Sequence, residues 1–186
     1  MMREILEIDK YWYTAINQLP RPLFVQLFFL FLDYLSLGGV LFIIFCLYLI
    51  IFGKTKQLKI IGTIGLILLL VTTFLEGFII KTLFVRRIRP YEIITNATVY
   101  GAKPLTYSFP SGQVANVFSI GAFYSLLTKS KKVFLIFIIF GLITGFGRIY
   151  LGAHYPTDVI GGVIIGIITG ITVFKIFRKT SWYKNF

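Results

Sequence analysis

Three groups of residues have the types and spacing for phosphate chemistry. The first is Lys81, Arg86, Arg87, Arg89 and Pro90. The second is Ser108-Phe109-Pro110-Ser111-Gly112-Gln113, and the third is Arg148, Tyr150, His154, Tyr155, Pro156 and Asp158. Arg and Lys bind phosphate oxygens, Arg through a planar fork. Pro110-Ser111-Gly112 reads as a helix start, because Pro suits a first helical position and Gly lets backbone N–H groups approach a ligand. A helix N-terminus there is an anion site, and Tyr155-Pro156 reads the same way. His154 and Asp158 share a face if a helix begins nearby. A carboxylate on one imidazole nitrogen fixes the tautomer and leaves the other nitrogen free to attack. Taken singly, each piece also has a plain reading. A lone histidine at a membrane surface is more often interfacial than catalytic, and basic residues at a span end usually meet lipid head groups.

The elements that must position these groups are membrane spans. The 186 residues are 57% hydrophobic and only 14% charged, with mean hydropathy +0.85. Soluble domains carry about 25% charged residues, so lipid is the solvent for most of this surface. Spans of about 20 apolar residues are expected over roughly 23–53 (broken near Gly38-Gly39), 60–84, 114–127, 133–150 and 159–177. The expected fold is all-α, a polytopic transmembrane helix bundle of about five spans. Residues 1–20 are expected to form an N-terminal interfacial amphipathic helix and 21–186 the transmembrane domain that carries the three groups. In that first helix Ile5, Ile8, Trp12, Ala15, Ile16 and Leu19 recur at helical spacing, a stripe that fits either a lipid interface or packing on the bundle. Gly161, Gly162, Gly166 and Gly170 put small residues on one face of the last span, as close packing in lipid favours.

The net charge of +12 sits at span ends rather than on a basic face, which argues for a membrane and against nucleic acid. Lys54, Lys56, Lys59, Lys129, Lys131, Lys132, Lys175, Arg178, Lys179 and Lys184 share one side of a five-span layout, with no acidic residue among them. That side is expected to be cytoplasmic, with the C-terminus. The loop 85–112 and the turn 151–157 then face the extracytoplasmic side of the plasma (inner) membrane. The single Cys46 excludes an internal disulfide and a Cys-based zinc site. Glu76 and Asp33, inside spans, read either as functional carboxylates or as partners of basic residues.

In this order the three groups resemble the type 2 phosphatidic acid phosphatase superfamily, whose pattern is K-x6-R-P, then P-S-G-H, then S-R-x5-H-x3-D. The resemblance runs from about Lys81 to Gly162. Arg148-x5-His154-x3-Asp158 matches the third motif in full spacing, and Arg89-Pro90 and Pro110-Ser111-Gly112 match the other two. It implies that His154 is the nucleophile that forms a phosphohistidine and that Asp158 orients it. It implies that Arg89, Arg148, Ser111 and Gly112 hold the phosphoryl oxygens. It implies no metal and no organic cofactor, and a membrane lipid phosphate as substrate.

There are three departures from the pattern. Gly147 replaces the serine before Arg148. Lys81 stands eight residues before Arg89, not seven, and Thr82 occupies the expected slot. Either the helix end is bulged or Arg86 or Arg87 takes over. Gln113 stands where the family has a histidine that resembles a general acid, and glutamine cannot donate a proton at neutral pH. General acid catalysis is worth about 10²–10⁴-fold. A lipid alcohol leaving as alkoxide needs that proton, whereas a diphosphate releases an anion that is already stable. The expected activity is therefore hydrolysis of polyprenyl (undecaprenyl) diphosphate. Lipid A 1-phosphatase and phosphatidylglycerophosphate phosphatase follow, then a lipid phosphotransferase, then a non-catalytic lipid binder or transporter. A glutamine at 113 is also what an engineered inactivating substitution would leave.

Overall fold

The computed structural model describes residues 2–36, 39–101 and 103–185, and among these there is no strand. Helix α1 spans Met2–Asn17, α2 Leu23–Ser36, α3 Val40–Phe52 and α4 Lys56–Thr73. The last continues without a break as a π-helical segment, Phe74–Phe84. The short α5 (Pro90–Ile93) lies in the loop that leads to α6 (Gly112–Thr128), and α7 (Lys131–Tyr150) and α8 (Pro156–Phe177) follow.

Among the described residues, three helices are long and apolar enough to cross a membrane: Lys56–Phe84, Lys131–Tyr150 and Pro156–Phe177. A fourth crossing results if α2 and α3, inclined at 49°, count as one bent span. The expected break there falls partly on Gly38, outside the described residues, while Gly39 has φ 77°, which an L side chain rarely adopts. The expected count of five exceeds this because the 114–127 segment forms a helix of only 17 residues, about 26 Å long. Alpha-6 is instead the centre of the bundle. Val114, Ala115, Val117, Ile120 and Phe123 are buried on all its faces, and α4, α7 and α8 pack around it.

The glycine stripe of α8 explains how closely the centre is packed. Gly162, Gly166 and Gly170 lie against the backbone carbonyls of Ser111, Ala115 and Ser119 on α6. A Cβ on Gly162 would come within 2.6 Å of the Ser111 oxygen, so a side chain there would force the helices apart. Gly161 leaves the stripe and faces Phe109. On the opposite face of α8, Ile160, Ile164 and Ile168 are exposed, as a lipid-facing surface requires.

Helix α1 is turned the other way from a soluble amphipathic helix. Asp9, Tyr13 and Asn17 are its buried stripe, and Ile5, Ile8, Trp12 and Leu19 are exposed. Polar groups bind it to the bundle: the Tyr13 hydroxyl donates to Gly152 O (3.2 Å), and the Asn17 amide donates to Thr98 O and Tyr150 O. Of the apolar stripe read from the sequence, Ile16 packs on the cluster of Tyr13, Ile149 and Tyr155, and Ile5, Ile8, Trp12 and Leu19 face outward.

Candidate active site

The site forms at one end of the bundle, where the loop before α5, the start of α6 and the turn between α7 and α8 meet. The α7–α8 turn is short and closed by its own backbone, with Ala153 N–H and His154 N–H both directed at Arg148 O (3.0 and 3.3 Å). Tyr155 caps α8, and Asp158 at the third position accepts the Tyr155 N–H at 2.8 Å. That reach fixes Asp158 beside His154, with Nδ1 3.4 Å from Oδ2. The four-residue spacing works as expected because the helix begins between the two residues.

Asp158 is fully buried. Besides His154 and the Tyr155 N–H, it accepts from the Ser108 hydroxyl and from Arg87 Nη1 (2.8 Å). Arg87 stacks over the Tyr155 ring, 3.9 Å from its centroid, and its other nitrogen pairs with Asp9 of α1. Asp9 also accepts from the Thr157 N–H (2.9 Å) and hydroxyl (2.6 Å). Ser108, Arg87 and Asp9 are supports that the spacing of His154 and Asp158 alone does not reveal. The polar i, i+4, i+8 series Asp9, Tyr13, Asn17 on one face of α1 was the signal for Asp9.

Burial drives the His154 imidazole down to about 3, assisted by the charges of Arg148 and Arg89 and opposed by Asp158. The ring is therefore neutral, with its Nδ1 proton towards Asp158 and the Nε2 lone pair free. Nε2 lies 3.4 Å from Arg89 Nη1. Above pH 6.5 the ring is neutral folded or unfolded. Between 6.5 and about 3 only the unfolded chain takes up the proton, so stability falls as pH drops through that window. The thermal midpoint in detergent should decline from pH 6.5 to pH 4, and less steeply in His154→Gln. Equal slopes would refute the assignment of a neutral ring.

Arg89 is buried, and burial lowers its affinity for its proton. Its fork binds Thr106 O (2.7 Å), Ala153 O (2.9 Å), the Thr106 hydroxyl and Tyr107 O, so it ties the loop to the His154 turn. Arg148 pairs with Asp33 of α2 through Nη1, while its Nε is buried with no hydrogen-bond partner. The Ser111 hydroxyl is likewise buried and unpartnered, beside Gly112 at the start of α6. These two unfilled donors and the α6 N-terminus suit an anion. Ser111, not Pro110, is the N-cap; Pro110 lies before the helix, after a cis peptide bond, because the Ser111 N–H is drawn to Asp158 O (2.9 Å). The Gln113 amide donates to Asp33 O (3.1 Å), and its Oε1 has no hydrogen-bond partner.

The irregular Lys81–Arg89 spacing has a structural cause. The π-helical segment absorbs one extra residue per turn, with Val85 N–H bonded to Ile80 O five residues back (2.7 Å). Lys81 is thereby buried and Thr82 exposed. Lys81 lines a cavity of ≈ 370 Å³ together with Arg87, Arg89 and Glu92. Arg86 bonds back to Thr82 O, and Arg87 is committed to Asp9 and Asp158. Glu76, one π turn earlier, pairs with Lys81 at 2.8 Å.

Residues 65–182 match the PAP2 superfamily. The chain is 30% identical over 189 residues to the lipid A 4'-phosphatase of Porphyromonas gingivalis, covering 97% of this chain and 78% of that protein. It is 32% identical over 128 residues to the undecaprenyl-diphosphatase BcrC of Bacillus subtilis, covering 67% of this chain and 62% of that one. Aquifex aeolicus LpxE superposes with TM-score 0.66 at 30% identity, over 89% of this chain and 93% of that chain. The PAP2 type phosphatidylglycerolphosphate phosphatase of B. subtilis superposes with TM-score 0.70 at 21% identity, over 96% and 88%, a likeness of fold.

Proposed function

The chain belongs to the PAP2 superfamily of membrane lipid phosphatases, and from that premise we propose that it hydrolyses a polyprenyl diphosphate through a phosphohistidine on His154. The Nε2 of His154 attacks the terminal phosphorus while Asp158 holds the ring. Arg89, Arg148, Lys81, the Ser111 hydroxyl and the Gly112 N–H stabilise the charge that develops on the phosphoryl oxygens. Water then releases phosphate from the histidine. The site opens to the extracytoplasmic membrane–water interface, with the C-terminus cytoplasmic, and the exposed apolar stripe of α1 lies in that interface.

One observation carries the choice of substrate. Gln113 occupies the acid's position, and its amide is engaged with Asp33 O. A leaving group that is stable as an anion suffers least from that exchange. Purified protein should release phosphate from undecaprenyl diphosphate about tenfold or more faster than from phosphatidate. Equal or reversed rates would sink the substrate assignment. A lipid A phosphate is the second reading, supported by the match along 97% of the chain to a lipid A 4'-phosphatase, and belongs in the same assay.

A further inference from the structure

We propose that Glu76 supplies, less effectively than a histidine at position 113 would, the proton for leaving groups that need one, so that phosphatidate is turned over but stays slower than a lipid diphosphate. The inference rests on the phosphatase reading above.

Three observations place a carboxylic acid where the proton is needed. Glu76 is buried, 6% exposed, at the site end of the long α4 span. Its carboxyl group packs directly on Gly112, so that a Cβ there would run into Glu76 Oε1, Cδ and Oε2. Gly112 is the residue whose N–H opens the anion cradle, next to Gln113. Arg89 lies 3.4 Å from His154 Nε2 and within electrostatic reach of Glu76. The π-helical segment is what sets Lys81 over Glu76, since residues five apart share a face only in that wider turn.

A carboxylate beside a phosphate cradle is costly unless it is neutralised. Lys81 neutralises it in the resting site, at 2.8 Å. The phosphomonoester enters as its monoanion and passes its proton to Glu76, and Lys81 turns to the phosphate dianion that results. The step is then balanced. His154 Nε2 forms the P–N bond as the bond from phosphorus to the leaving oxygen breaks. That oxygen takes the Glu76 proton and departs as an alcohol, and Glu76 returns to its ion pair with Lys81. In the second step Glu76 accepts a proton from water as the water oxygen bonds phosphorus. The P–N bond breaks and its electron pair returns to Nε2.

The test uses leaving groups of different need. In Glu76→Gln, turnover of phosphatidate should fall about 10²-fold, and the ratio of undecaprenyl diphosphate to phosphatidate turnover should rise by a similar factor. Gln113→His added to that variant should bring the ratio back towards its original value, because a proton donor is restored at the neighbouring position. Equal loss on both substrates, or no loss on either, overturns the proposal. A second variant stands apart from the folding of Glu76→Gln. Gln113→His alone should raise phosphatidate turnover by less than about tenfold, because a donor is already present. A gain of about 10²-fold from that single change overturns the proposal too. Wild-type protein that releases phosphate from neither lipid overturns the phosphatase reading itself, and the role of Glu76 with it.

Discussion

His154→Gln is expected to abolish phosphate release and the trapped phosphoenzyme together. Removing a covalent nucleophile costs about 10⁴-fold or more, because no other group can take the phosphoryl intermediate. His154 is the sole histidine of the chain, and Cys46 lies buried on α3, outside the site. The fold should survive the change. Asp158 keeps Arg87, the Ser108 hydroxyl and the Tyr155 N–H, so its charge stays paired. Glutamine also fills most of the imidazole volume. The measurement is acid-quenched labelling with a terminally radiolabelled lipid diphosphate, run beside phosphate release. Retained lipid binding with no label and no release is the expected result. A variant that still turns over would mean that another residue accepts the phosphoryl group. Unchanged transport or binding function with no label in the wild type would favour a lipid carrier over an enzyme.

The contacts made within one short stretch of chain were legible in the sequence. The Arg148–His154–Asp158 series reads correctly because a closed turn and the first turn of α8 fix all three from local backbone alone. The extra residue between Lys81 and Arg89 was visible as an irregularity. Its remedy was left open, since helical periodicity cannot distinguish a π turn from a handover to Arg86 or Arg87. The partners of Asp33 and Glu76 differ in this respect. Glu76 meets Lys81 five residues on, but Asp33 meets Arg148 across 115 residues, and no spacing encodes such a pair. The stripe on α1 left two readings open for a physical reason. Periodicity marks which face is apolar but not what covers it, and beside a membrane the polar face is the one that needs protein. Asp9, Tyr13 and Asn17 therefore turn inward. The number of spans was least legible at α6, where small and apolar residues serve a helix enclosed by other helices.

Asp158→Asn should have the second largest effect, a loss of turnover on the order of 10²–10⁴-fold with much smaller loss of substrate affinity. The carboxylate performs two tasks that an amide cannot. It accepts the Nδ1 proton of His154, which keeps the lone pair on Nε2, and it balances the positive charge that the ring acquires once Nε2 bonds to phosphorus. It also accepts from Arg87, Ser108 and the Tyr155 N–H at once. An asparagine has one acceptor oxygen, so its NH2 must face a donor. If it faces Ser108, whose hydroxyl can turn and accept, it also faces the Tyr155 N–H and His154 Nδ1, because all three meet Oδ2. If it faces Arg87, two donors clash and the Asp9–Arg87 link to α1 is disturbed. A kinetic split separates these outcomes. Loss of the Nδ1 acceptor alone lowers kcat and the rate of phosphoenzyme formation while the thermal midpoint holds. Loss of the Arg87 support also lowers the midpoint, and Asp9→Asn should then reproduce that part of the change without the full loss of kcat. An Asp158→Asn protein with wild-type labelling kinetics would show that the carboxylate only braces the α8 N-terminus. Ring orientation would then rest on the backbone turn that Arg148 O closes.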